Sequence, residues 1–358
     1  MDKKIVLIAI IAVAIIAIAG IVLATNNGSK DSKDPVPDPA NPDPTPQPGP
    51  EPVKTVVTVM QSDGNLKTVK YNPERVVVLS TYTTEVMMFM GLTDKIVAVT
   101  NSSKTNVDQK EYLENAVDIG NFNNPDYATL AKLNPDLIIN YGTQLEVAKK
   151  LDELNLPYVN LQCASLDTMI TEIRSLGTIF GTEDIAEKYI EFYESVEKQV
   201  KETVDKVTVK KTVYMESFST LNAQGLSSAY TVLARTAGAD LIYTEEKSAT
   251  VSAAWVVEKN PDAIIKTPML KNMLNGGGKN IHDEICSREG FGTTTAVKDD
   301  AVFVFCSQLF GGPRCFGGLV ACCNALYGGD LSLTKVLTDY NTMFGLHLSM
   351  DSLTYPGM

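Results

Sequence analysis

Few residues of this chain are placed to make or break covalent bonds. Only two histidines occur, His282 and His347, and neither lies in a motif that would join it to a nucleophile and an orienting acid. Gly276-Gly277-Gly278-Lys279 resembles a phosphate-cradling loop. The opening glycine of that motif, however, falls at Met273, and Asn280 replaces the hydroxyl residue that would hold magnesium. No Gly-x-Ser-x-Gly elbow is present. A site for free zinc or manganese needs several histidines and carboxylates converging on the ion, and two histidines do not supply it. Met87, Met88 and Met90 share one helix-like stretch with Val86 and Phe89, so they read as core filling rather than soft-metal ligands. The expectation is no catalytic residue, no resident metal and no cofactor.

Cysteines give the same answer. Of six, Cys306, Cys315, Cys322 and Cys323 crowd one segment, while Cys163 and Cys286 stand apart. The spacing matches no usual zinc or iron–sulfur pattern and no small-domain disulfide framework, so these side chains read as small buried apolar groups. The chain has 358 residues, 44% hydrophobic and 21% charged, with a formal net charge of −12. That is ordinary globular composition. The acidic balance repels phosphate backbones and disfavours nucleic-acid binding.

The elements that must position any site begin outside the globular part. Ile5–Ala24 is an uncharged apolar run of 20 residues preceded by Lys3 and Lys4. At ~1.5 Å per residue it matches the hydrocarbon thickness of a bilayer, with the lysines on the cytoplasmic side. Its length favours a single-pass anchor in the cell membrane, with the rest of the chain extracytoplasmic. Ala17-Ile18-Ala19 leaves a cleaved secretion signal open. Pro35–Pro52 carries proline at every second or third position and reads as an extended linker, roughly 50 Å at most.

Beyond Lys54 the pattern is α/β. Thr55–Met60 and Leu66–Tyr71 flank Asp63-Gly64 as a hairpin. Val76-Val77-Val78-Leu79, Ile96–Val99, Leu137-Ile138-Ile139 and Tyr158-Val159 are apolar runs separated by helical stretches, beginning with Thr83–Met90. This is the signature of a parallel sheet covered on both faces. Tyr189, Tyr193, Val196, Val200 and Val204 recur at steps of three or four within Glu183–Lys206, predicting one long amphipathic helix capped by Thr182. Alternation then resumes with Thr212–Met215, a helix from Ser228 to Ala237, Ala263–Ile265, Val302–Phe305 and helices at Arg314–Tyr327 and Thr334–Phe344. The expected divisions are an anchor or signal at 1–33, a linker at 34–53, a first lobe at 54–181, a connecting helix at 182–207 and a second lobe at 208–358. Two Rossmann-like lobes with parallel sheets, joined by one long rigid helix, is the predicted fold.

A weak internal repeat supports two lobes. Lys132-Leu133-Asn134-Pro135-Asp136 leads into Leu137-Ile138-Ile139, and Glu258-Lys259-Asn260-Pro261-Asp262 leads into Ala263-Ile264-Ile265. In each a helix ends, Pro-Asp turns, and an apolar strand begins. The preceding helices are expected to start at Asn124-Pro125-Asp126, with proline first in the helix, and at Ser252.

Those residues carry a resemblance. From about Lys54 to Tyr340 the chain resembles the class III solute-binding proteins of iron–siderophore, cobalamin and haem importers. Arg75-Val76-Val77-Val78-Leu79-Ser80 with Thr84-Glu85 is similar to the family's first strand and helix. Asp118-Ile119-Gly120, the Asn134-Pro135-Asp136 segment, Trp255 to Asp262 and Gly312-Pro313-Arg314 are similar to its later signatures. The resemblance implies a ligand cleft between lobes and acidic side chains that dock an ABC permease. Where relatives often carry a docking glutamate this chain has Ala128, and no clear glutamate precedes Ser228. Asp126, Glu245 and Glu246 are the remaining candidates for docking.

Ligands of such folds sit where strand-end loops converge. Tyr82, Asn121, Phe122 and Tyr141 from the first lobe, and Glu216, Phe218, Gln308, Phe310 and Arg314 from the second, are the expected ligand contacts. Rings would stack a bulky chelate and hydroxyls would orient it. Arg314, after Gly311-Gly312-Pro313, would either pair with a ligand carboxylate or form a salt bridge across the lobe. Trp255 lies on a helix and reads as core, and His282 as a loop or helix-start residue. The implied activity is capture of a metal chelate (iron–siderophore, corrinoid or haem) for an ABC importer. A surface sensor or adhesion module on the same fold, without a transporter, is the alternative.

Overall fold

The computed structural model describes residues Lys54–Gly357; the apolar run and the proline-rich stretch lie outside the described residues. Among those described, no helix is long and apolar enough to cross a membrane. The chain opens with an antiparallel hairpin, Val56–Met60 against Leu66–Lys70. Its turn is shaped by Asp63, whose carboxylate accepts from the Asn65 backbone N–H at 2.9 Å, a local bond that favours turns over strands.

A five-stranded, wholly parallel sheet follows. Its spatial order is Val117–Asp118, Ile96–Val99, Val76–Val78, Leu137–Asn140, Tyr158–Asn160. Val76–Val78 and Leu137–Asn140 are buried at every position, as strands sandwiched between helical layers must be. Thr81–Phe89 covers one face, capped by Ser80, whose hydroxyl accepts from Thr83 N–H at 3.3 Å. Leu145–Glu153 and Leu166–Phe180 complete this half.

Glu183–Val204 is the long helix, and we call it the spine. It buries Ala186, Tyr189, Ile190, Tyr193, Val196 and Val200, the stripe its periodicity predicts. Tyr189 stacks on Phe89 of the first half with centroids 5.0 Å apart. Phe192 meets Phe316 of the second half edge-on, also at 5.0 Å. Thr182 occupies the N-cap position without making a side-chain cap bond, so the expected cap is positional only.

The second sheet has seven strands. Thr212–Glu216, Ala263–Lys266 and Val302–Phe305 form its parallel centre, with Asp240–Leu241 also parallel beside Thr212. Asn222–Ala223, Ala249–Thr250 and Thr354–Tyr355 add antiparallel edges. Helices Ala229–Thr236, Ala253–Lys259, Gly277–Ser287, Cys315–Tyr327 and Leu333–Phe344 pack around it.

The sequence repeat becomes a geometric repeat. Helices Tyr127–Leu133 and Ala253–Lys259 both end on an asparagine in the left-handed region, Asn134 at φ 45, ψ 62 and Asn260 at φ 43, ψ 63, a conformation asparagine tolerates better than most residues. In each half the following aspartate then ties down the first strand. Asp136 accepts from Glu74 N–H at 2.9 Å and Arg75 N–H at 3.1 Å. Asp262 accepts from the Thr212 N–H and hydroxyl, both at 2.8 Å. One expected boundary is wrong. Asn124–Pro125 forms a short strand with Gly120–Asn121, and Asp126 is the true cap, accepting from Ala128 and Thr129 N–H. Aspartate at the cap satisfies two free N–H groups, while Asn124 and Pro125 are taken up by strand pairing and do not start the helix. Asn280 to Glu284, read as a loop or helix start, lies inside the helix Gly277–Ser287.

Candidate functional site

Parallel strands deliver their C-terminal ends, and the loops that follow them, to one side of each sheet. The loops of both halves meet there. Gly312 N–H donates across the seam to Ala164 O at 3.2 Å, and within the second lobe Ser307 N–H donates to Pro268 O at 2.8 Å. Tyr82, half-buried at the start of its helix, lies against Gly311 and Gly312 of the other lobe. Its phenol is close enough to Tyr141 and Tyr230 to feel both, and Tyr230 also lies beside the Ser307 hydroxyl. Burial holds the phenols of Tyr82, Tyr141 and Tyr230 above the ordinary tyrosine range, so they stay protonated and remain donors.

The expected ligand set divides three ways. Phe122 and Tyr141 come together in the first lobe, half-buried, with ring centroids 5.2 Å apart and planes at 47°. Asn121 is exposed beside them, and Phe218 keeps 58% of its surface in the second lobe. Gln308 is half-buried, and among the described residues its Oε1 finds no hydrogen-bond partner. These side chains have surface or bonding capacity to offer.

Three others do not, and their assignment is corrected. Phe310 is fully buried, stacked on Tyr230 at 5.5 Å and on Phe305 at 6.2 Å; it is the floor beneath Tyr230. Arg314 is buried and committed, its guanidinium meeting Glu85 at 3.0 Å and Asp108 at 2.8 Å. Those carboxylates belong to the opposite lobe, so of the two readings for Arg314 the salt bridge holds and the ligand contact does not. Glu216 is fully buried between Lys266 at 2.6 Å and Arg288 at 2.7 Å, and Arg288 also holds Glu284. A buried carboxylate is tolerated only when paired in this way. Burial lowers the Lys266 ammonium pKa, and Glu216 opposes that shift.

The expectation is a ligand cleft between the lobes, where their strand-end loops converge. At Tyr82 the halves are instead in van der Waals contact. A groove of about 690 Å³ lies elsewhere, between the spine at Lys188–Gln199 and the helix at Lys335–Met343.

Sequence reasoning missed Tyr230, Ser307 and Glu172. Glu172 is buried and accepts from Cys163 N–H, while its second oxygen has no partner among the described residues; its charge adds to the rise of the Tyr141 phenol. No motif marks it, because a carboxylate inside Leu166–Phe180 looks like any surface charge on a helix. Five of the six cysteines are buried and all six are free thiols. Trp255 packs edge-on against Tyr214 and Tyr243. Asp126, Glu245 and Glu246 are all exposed. Asp126 is held by Thr129, whose hydroxyl donates at 2.6 Å and, with the backbone, lowers the carboxyl pKa.

Two α/β halves joined by a spine, with ring and hydroxyl groups near their seam, have the architecture of a solute-binding protein. The chain belongs to the periplasmic binding protein family, whose sequence pattern matches residues 76–309. It is 26% identical over 216 residues to the petrobactin-binding protein YclQ of Bacillus subtilis, covering 58% of this chain and 68% of that one. It is 24% identical over 287 residues to the uncharacterized ABC transporter substrate-binding lipoprotein YvrC of the same organism, covering 76% and 85%. Among solved structures, the TroA-like periplasmic binding protein FepB of Veillonella parvula superposes with a TM-score of 0.68 at 20% identity, covering 83% of this chain and 99% of that one. That likeness is one of fold.

Proposed function

We propose that the chain captures a metal chelate, an iron–siderophore, corrinoid or haem, at the seam between its lobes and delivers it to an ABC permease. The observation that carries this reading is the composition of the seam. The Phe122–Tyr141 pair offers ring faces, Tyr82, Tyr230 and Ser307 offer hydroxyls, and Gln308 offers an acceptor with no partner among the described residues; exposed Phe218 is proposed as a further ring face from the second lobe. Ring faces suit a bulky amphipathic guest and a few fixed polar groups orient it. The relative named for petrobactin binding supports an iron–siderophore first among the three classes. Asp126, Glu245 and Glu246 are the proposed permease contacts, exposed on different lobes and suited to arginine partners. The N-terminal apolar run is proposed to tether the protein on the outer side of the cell membrane.

Titration of the full chain with ferric catecholate and hydroxamate siderophores, cobinamide and haemin tests the reading. Trp255 fluorescence reports binding and calorimetry gives stoichiometry. One-to-one saturation by one class, weakened by Tyr141→Ala and Phe218→Ala, is expected. Indifference to all four classes refutes it.

A further inference from the structure

We propose that Tyr82 and the Gly311-Gly312 pair form a steric key that sets the two lobes in register. Gly312 adopts φ +71, and a Cβ there would lie 2.3 Å from Tyr82 Cδ1, 2.8 Å from Cγ and 3.1 Å from Cβ. A Cβ on Gly311 would lie 3.0 Å from the Tyr82 hydroxyl oxygen. The ring therefore lies along the glycine backbone, and the crowded atoms on it include its root, which cannot swing aside as a flexible tip would.

Neither side can retreat. Gly312 N–H is tied to Ala164 O across the seam, and the next carbonyl, Pro313 O, accepts from the Tyr189 hydroxyl of the spine at 2.8 Å. Arg314 follows, clamped to Glu85 and Asp108. On the other side, Tyr82 sits in the first turn of a helix pinned by Ser80, whose hydroxyl donates to Gln162 O at 3.0 Å. A methyl group at position 312 must therefore push the lobes apart. The missing Cβ also delivers the Tyr82 phenol to its place beside Tyr141 and Tyr230. That a guest meets this phenol rests on the chelate-binding reading; the steric key does not.

A thermal double-mutant cycle on the full chain, without ligand, tests the key. With Tyr82 present, Gly312→Ala lowers the midpoint by about 3–6 °C, from overpacking plus left-handed strain. With Tyr82→Ala, the same change lowers it by only ~1–2 °C, because strain alone remains. Tyr82→Phe keeps the ring and so keeps the full penalty; if Tyr82→Ala does not fold, Tyr82→Leu takes its place. Small-angle scattering should show a larger radius of gyration for Gly312→Ala that reverts in the double variant. Equal midpoint losses in both backgrounds, or no reversion of the radius, overturn the proposal. Because no ligand enters the cycle, its failure is distinct from failure to bind a chelate.

Discussion

Replacing Arg314 with methionine would leave two carboxylates facing each other inside the protein. Glu85, Asp108 and Arg314 keep 4%, 1% and 3% of their side-chain surface, so water cannot take over the lost partner. Breaking a buried ion pair by removing one member costs about 3–5 kcal/mol. A unit of about 300 residues has an unfolding entropy near 0.6 kcal/mol/K, so the midpoint should fall by roughly 5–8 °C at pH 7. The pH dependence separates charge from lost packing. Burial already raises the Glu85 pKa, opposed by Arg314 and reinforced by Asp108. A carboxyl whose pKa is raised by folding binds its proton more tightly in the native state. It therefore destabilises as pH climbs from its unfolded value, about 4.3, through the raised folded value. Without Arg314 that folded value rises further. The deficit of Arg314→Met should thus shrink as pH falls below 7, as Glu85 becomes protonated. Melts of both proteins at half-unit pH steps read this directly. A deficit unchanged across that range would refute the electrostatic account and leave only a packing defect.

Phe218→Ala should weaken chelate binding about tenfold, ~1.4 kcal/mol, in calorimetric titration, while the midpoint stays put because the ring is 58% exposed. Glu216→Gln should lower stability by about 3 kcal/mol in urea melts, since it leaves Lys266 and Arg288 facing each other without their shared anion. Asp262→Ala should cost ~1–2 kcal/mol in the same assay by freeing the Thr212 backbone N–H and hydroxyl. Charge reversal at Asp126, Glu245 and Glu246 together should abolish co-purification with the cognate permease, with chelate affinity unchanged.

Much of the architecture was legible because it rests on local rules. Period-two and continuous apolar runs gave the strands, and the spacing of Tyr189, Tyr193, Val196 and Val200 gave the spine. The Asn-Pro-Asp repeat was visible as text, and its meaning lies within a few residues: a left-handed asparagine, a proline, and an aspartate reaching a neighbouring backbone. Even there one boundary failed. Asn124-Pro125-Asp126 offers two cap residues, Asn124 and Asp126, and the choice of Asp126 depends on Asn124 pairing with Asn121.

The strand-end loops were legible in the sequence, but not which of their side chains are spent on internal partners. Loops after strands could be named from the sequence, and Phe122, Tyr141 and Phe218 do lie on them with surface to spare. Phe310, Glu216 and Arg314 lie at or just beyond strand ends too, Glu216 as the last residue of its strand, and are consumed internally. Their partners are far along the chain: Arg314 meets Glu85 and Asp108 from the opposite half. Glu216 meets Lys266 and Arg288.

The sequence by itself determined the main strands and helices, their order, the doubling of the α/β unit and the family, because hydrophobic period and turn chemistry act over a few residues. The tertiary structure alone decided which polar groups are satisfied within the protein and which remain for a guest. Charge pairing and steric contact depend on distance in space, and residues more than two hundred positions apart become neighbours only once both halves are packed on the spine.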